Sequence, residues 1–147
     1  MHLTWAIVFL FASAAFAGCA TPGVLAPYQV TGDGISAPLS SAVPDPARGR
    51  ALLVSRDSNC ILCHAAPETG ERFYGNVGPP LSGVGARLTA AQMRLRIVDP
   101  LFFNKESIMP AYYRVAGLHR VAETYRDKPV LNAEQIEDVI AYLMTLK

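Results

Sequence analysis

The chain has 147 residues, 51% hydrophobic and 17% charged, with 13 Lys and Arg against 12 Asp and Glu, for a formal net charge of +1. That length suits one domain. The near-cancelled charge argues against nucleic acid as a partner, which demands a basic face, while leaving room for a local patch toward a protein.

Residues 1–17, MHLTWAIVFLFASAAFA, form an uncharged apolar run ending in small residues. Ala15-Phe16-Ala17 fits an A-x-A cleavage signal, although His2 gives only a weak n-region. The run is short for a membrane span, which needs about 20 apolar residues. It reads as a signal peptide, and the mature chain is expected in the periplasm. Cleavage after Ala17 leaves a soluble protein starting at Gly18. Alternatively, Phe16-Ala17-Gly18-Cys19 resembles the lipobox of bacterial lipoproteins, with Phe16 where leucine is usual. Membrane attachment is expected only if Cys19 is lipidated, and stable anchoring then takes more than one acyl chain.

Residues 18–46 are rich in Pro, Gly, Ser and Ala and show no period, which predicts a linker or surface-wrapped extension. The folded domain is expected over 47–147. Asp45 as cap and Pro46 at the first helical position start a helix through ARGRALLVSRD, residues 47–57. Residues 65–85 hold too many Gly and Pro for a long element. Thr89 caps a second helix that Pro100 stops, with Met93, Ile97 and Leu101 on one face. Residues 106–120, ESIMPAYYRVAGLHR, are again aperiodic. Asn132 caps a C-terminal helix, AEQIEDVIAYLMTLK, with Ile136, Val139, Ile140 and Leu143 at helical spacing. Strands of useful length and internal repeats are not apparent. So few short helices leave a core that something other than side chains would fill.

Cys60-Ile61-Leu62-Cys63-His64 supplies a candidate, because C-x-x-C-H is the attachment signature of a c-type haem. Two thiols three positions apart on one helical turn reach the two vinyl groups of one porphyrin. His64 then offers its imidazole to the iron. A zinc site would need two more ligands, and only His119 and the distant Cys19 remain. A thiol-redox pair would expect a βαβ setting. Export also suits haem c, which is attached outside the cytoplasm.

Candidates for the sixth ligand are Met93, Met109, Met144 and His119. Met93 and Met144 lie on helices and read more simply as core, since Met fills irregular gaps. Met109 sits in a loop, and Pro110 pushes it toward an extended backbone that aims one thioether. Met109 is preferred, with His119 the runner-up. Tyr112 and Tyr113 read either as a partner surface or as cover for the haem. Arg114, Arg120 and Arg87 are candidates for haem propionates, partner carboxylates or a solvated face. Phe102 and Phe103 are expected at the haem edge or in the core.

Gly78-Pro79-Pro80-Leu81 resembles the G-P-x-L segment of class I cytochromes c, in which the proline carbonyl accepts the Nδ1 hydrogen of the ligand histidine. The resemblance implies that Pro79 orients His64. Gly49 and Tyr142 match family positions where a first-helix glycine admits an aromatic of the last helix. Finally, SIMPAYYR followed by GLHRVA resembles the signature of the SoxX family, the monohaem cytochrome subunits of the thiosulfate-oxidising SoxAX complex. The resemblance runs from about Ala47 to the C-terminus. It implies an all-α, class I cytochrome c-like fold with few short helices and long loops around one covalent haem c. It implies Cys60 and Cys63 as thioether attachments and His64 and Met109 as axial ligands. It further implies a heterodimer with a SoxA-like subunit, which catalyses the oxidative coupling of thiosulfate to a carrier-protein cysteine as an L-cysteine S-thiosulfotransferase. This chain would be the non-catalytic subunit that takes the electrons and passes them to a downstream cytochrome. A stand-alone or membrane-tethered shuttle, and a haem sensor with an open sixth site, are the other readings.

Overall fold

The computed structural model describes residues 25–147; the expected signal segment and Cys19 lie outside the described residues. Among the described residues four α-helices are separated by long loops and single 3-10 turns: α1 Pro46–Val54, α2 Val84–Arg87, α3 Ala90–Val98 and α4 Ala133–Leu143. Among the described residues the β-structure amounts to one isolated bridge, Thr31 to Gly34. No helix among them is long and apolar enough to cross a membrane.

The caps follow the sequence. Asp45 accepts from the amides of Ala47 and Arg48 at the start of α1. Thr89 with Gln92, and Asn132 with Gln135, form reciprocal capping boxes on α3 and α4, each satisfying two otherwise orphaned backbone N–H groups. The first helix is shorter than its sequence suggests. It ends at Val54, because Ser55 is extended and Ser58 Oγ turns back to the carbonyl of Leu52. A serine hydroxyl that bonds the backbone competes with helix propagation. The short α2 inside the Gly/Pro-rich loop gave no periodic signal.

The core is built by α1 crossing α4 with α3 alongside. Leu53, Met93, Leu95, Val98, Ile136, Val139 and Ile140 are buried in it. At the crossing the backbones nearly touch: a Cβ on Gly49 would lie 1.9 Å from the carbonyl oxygen of Asp138 and 3.0 Å from Tyr142 Cβ. Glycine inside a helix costs about 1 kcal/mol against alanine, and this approach is what it gains.

Residues 31–45 are not a free linker. Ile35 is fully buried and Leu39 nearly so. Their backbones are clamped by an ion pair with both side chains 5% exposed: Arg94 on α3 donates to Glu137 on α4 at 2.7 and 2.8 Å. Arg94 Nη1 also donates to the Ile35 carbonyl at 2.6 Å, and Glu137 accepts from the Leu39 amide at 2.9 Å. Every charged group in this network therefore has partners, as burial requires. Asp138 next door accepts from the Asp45 amide and from Arg48. Burial pushes the Asp138 carboxyl up, but the Arg48 and Asp45 hydrogen bonds outweigh it and hold the group below its ordinary value.

The two tyrosines of the 106–120 stretch point inward. Tyr113 is 2% exposed and lies under the extension, with its hydroxyl accepting from the Ala26 amide at 2.7 Å and Tyr28 stacked obliquely at 6.4 Å. Tyr112 donates its hydroxyl to the carbonyl of Ser58 at 2.7 Å, while its backbone bonds Ile97 and Leu131. Burial, with the neighbouring Cys60 adding to it, pushes the Tyr112 phenol far above its usual range, so it stays a neutral donor. Neither side chain is left for a partner surface.

Two stability outcomes are expected. Gly49→Ala forces α1 and α4 apart and should lower the unfolding free energy by about 3 kcal/mol, the upper end for overpacking a tight core. Tyr112→Phe leaves the buried Ser58 carbonyl with only a weak contact from the Cys60 thiol and should cost about 1–3 kcal/mol. Denaturant unfolding of each variant beside the parent chain checks both.

Candidate haem site

The Cys60–His64 segment follows α1 as one 3-10 turn over Cys60–Leu62. The turn closes by amide bonds from Cys63 and His64 to the Cys60 carbonyl, at 3.2 and 3.0 Å. Asn59 starts it with a left-handed backbone, φ 48°, a conformation that asparagine tolerates better than most residues. Cys60 and Cys63 are both free thiols, each partly exposed. Burial is the main influence that pushes the Cys60 thiol up.

His64 is held from outside the turn. Its Nδ1 lies 2.7 Å from the carbonyl oxygen of Pro79. Only a protonated Nδ1 donates there, so the contact selects the tautomer that leaves Nε2 as the free electron-pair donor. The loop is brought close by its own backbone: the Gly78 amide donates to the Cys63 carbonyl and the Leu81 amide to the Ala65 carbonyl, both at 2.8 Å. A Cβ on Gly78 would stand 2.4 Å from His64 Cε1 and 2.6 Å from Nδ1, so the loop accepts only glycine against the ring.

His64 borders a cavity of about 620 Å³ whose walls come from all four helices. Leu53, Val84, Ile97, Val139 and Leu143 give it an apolar lining. A second lobe of about 400 Å³ adjoins it, bordered by Cys63, Val77 and Ile108. Cys60, His64, Pro79, Met109 and Tyr112 border both lobes. A space of this size with mostly apolar walls and a few polar groups suits a large flat cofactor. Two thiols, one oriented imidazole and one thioether on its border form the donor set that haem c takes.

The sequence candidates separate cleanly. Met109 is half-buried on the shared border, its amide donating to Ser107 Oγ at 3.3 Å. Met93 is 2% exposed and borders the larger lobe alone, while Met144 packs on the core away from the cavity. His119, Arg114 and Arg120 border neither lobe. Arg114 folds onto the Ala116 carbonyl, and His119 and Arg120 are exposed. Arg87 does line the larger lobe, with its guanidinium donating to Pro80 and Ser82 carbonyls. Phe103 borders it too, and Phe102 stands edge-on to Phe103 at 5.3 Å. Among the described residues no three His, Cys, Asp or Glu side chains converge as a zinc site requires.

Sequence reasoning passed over Arg96, Asn104, Ser107 and Leu131, all of which border the larger lobe. None of them stands out in the sequence: Arg96 is the second arginine of α3, two residues after Arg94.

Comparison with known proteins fits this geometry. The cytochrome c family matches residues 46–147. Among solved structures, a chain in the crystal structure of SoxXA from P. pantotrophus is 33% identical, with a TM-score of 0.74. The match covers 82% of this chain and 94% of that one. Comparison with curated proteins returned no match. The chain belongs to the cytochrome c family, as a SoxX-type member with the covalently bound haem c and the electron-transfer role of that family.

Proposed function

We propose that this chain is the electron-accepting haem subunit of a SoxAX-type complex that oxidises thiosulfate outside the cytoplasm. The single observation that carries the reading is a border shared by two thiols, a tautomer-fixed histidine and a loop methionine, in a chain 33% identical to one in SoxXA. In this reading Cys60 and Cys63 hold the haem through thioethers. His64 and Met109 would bind its iron, and Pro79 would fix the orientation and raise the basicity of His64.

Bound haem c supplies a one-electron acceptor and donor. The protein decides where its potential lies and how little its surroundings rearrange. Met109 together with His64 would give the thioether–imidazole pair that raises the potential of haem. Leu53, Ile97, Val139 and Leu143 give the larger lobe apolar walls. Ser107 and Pro110 fix Met109 on either side, and Tyr112 anchors the same loop to Ser58.

A SoxA-like partner would couple thiosulfate to a carrier cysteine thiol. One sulfur–sulfur bond forms, the thiol proton leaves and two electrons are released. This chain would accept them one at a time and hand them to a downstream cytochrome, without binding thiosulfate. Residues 1–17 would direct export, and Cys19 would decide whether the product is tethered.

Two measurements test the reading. The oxidised parent protein should show the weak far-red charge-transfer band of sulfur ligation, and Met109→Ala should abolish it; survival of the band would remove Met109 as the ligand. Co-expressed with a SoxA-type chain, the protein should elute as a one-to-one complex. A persistent monomer beside that chain would instead favour a stand-alone shuttle.

A further inference from the structure

The larger lobe has an unbalanced charge. Among the residues that border it, Arg87 and Arg96 are the formal cations, and no aspartate or glutamate borders it. Arg87 is exposed and spends its guanidinium on two carbonyls of its own loop. Arg96 differs. It is partly buried, its guanidinium carbon lies 4.3 Å over the Phe103 ring, and Nη1 donates to the Gln92 carbonyl at 3.0 Å. That leaves most of its five N–H donors without a protein acceptor. Two residues earlier, Arg94 is fully matched by Glu137. Among the described residues no carboxylate lies within ion-pair distance of Arg96.

A half-buried guanidinium beside an apolar cavity without a counter-charge is costly by itself. Its placement supplies the reason. Cys63 borders only the smaller lobe and Arg96 only the larger. On a haem the vinyl groups and the two carboxylates stand on opposite edges. A macrocycle attached at Cys60 and Cys63 would therefore turn its carboxylate edge away from Cys63. The cation–π contact with Phe103 holds the guanidinium in place without neutralising it.

We infer that Arg96 is a charge-compensating residue for the covalent haem, meeting a haem carboxylate in the larger lobe and raising the reduction potential. The inference rests on the haem reading of Cys60, Cys63 and His64. A fixed positive charge in a poorly screened site favours the state that carries the extra electron. Arginine suits the task because its planar fork meets a carboxylate through two parallel hydrogen bonds.

The test is an optical redox titration of the holoprotein for the parent chain, Arg96→Gln, Arg96→Lys and Phe103→Leu. Arg96→Gln should shift the equilibrium with a fixed reference couple at least about tenfold toward the oxidised form, which is about 59 mV for one electron. Arg96→Lys, which keeps the charge, should recover more than half of that shift. Phe103→Leu keeps the charge and loses only the clamp, so it should move the equilibrium by less than about threefold. A potential unchanged in Arg96→Gln, or a lysine variant shifted as far as the glutamine one, overturns the inference. The far-red sulfur band is read in the same samples. If it persists while the potential stays put, this inference fails alone and the haem ligation reading stands. If Arg96→Gln removes the band, Arg96 acts by holding Met109 and the charge role is rejected.

Discussion

Everything in this molecule hangs on the contact of α1 with α4 at Gly49. The Cβ that glycine lacks would sit 1.9 Å from the Asp138 carbonyl, so no other residue lets the two helices cross at this depth. The crossing places Leu53 of α1 beside Val139 and Leu143 of α4, and these three form one wall of the cavity. Only residues 55–59 separate the end of α1 from the attachment turn, so the same crossing also sets where Cys60 and His64 stand. A wider crossing would shift that wall and the attachment turn together.

Electrostatics then closes the outer side of the crossing. Buried ion pairs rarely add net stability, since desolvation offsets their attraction. Arg94 and Glu137 gain something else: each also binds backbone of the 31–39 segment. Only one placement of that segment satisfies all four groups, so the pair specifies where the extension lies. Asp138 does the same one residue on, joining Asp45 and Arg48 to α4. The extension in turn covers Tyr113, three residues after Pro110.

The sequence displays the parts of this design that rest on local chemistry. Asp45, Thr89 and Asn132 are caps because a short oxygen-bearing side chain satisfies the first free amides of a helix. The C-x-x-C-H turn is legible from its spacing, whereas the Gly78-Pro79 loop is legible only through its resemblance to the G-P-x-L segment of class I cytochromes c; His64 Nδ1 lies 2.7 Å from the Pro79 carbonyl oxygen. Features made by distant, unrepeated contacts leave no pattern. Ile35 and Leu39 enter the core singly, within a Pro- and Ser-rich stretch that has no period. Adjacent Tyr112 and Tyr113 are buried on different sides, one toward the cavity and one under the extension, which composition cannot distinguish from an exposed pair. Arg96 looks like any surface residue of α3 until the cavity beside it is seen to lack a carboxylate.

The irregularity of the 106–120 loop now has a physical explanation. A helix there would bond its own backbone and point successive side chains around a cylinder. An aperiodic loop spends its backbone outward instead: Tyr112 bonds Ile97 on α3 through its amide and Leu131 near the cap of α4 through its carbonyl. Its phenol reaches the Ser58 carbonyl, two residues before Cys60. The loop is thus tied to both helices and to the turn that bears the thiols. Met109, three residues upstream of that anchor, is thereby tied to the segment that leads into the turn bearing His64. A change of charge at the site can then be met by a framework already in place, which is what preorganisation means for a centre that gains and loses one electron.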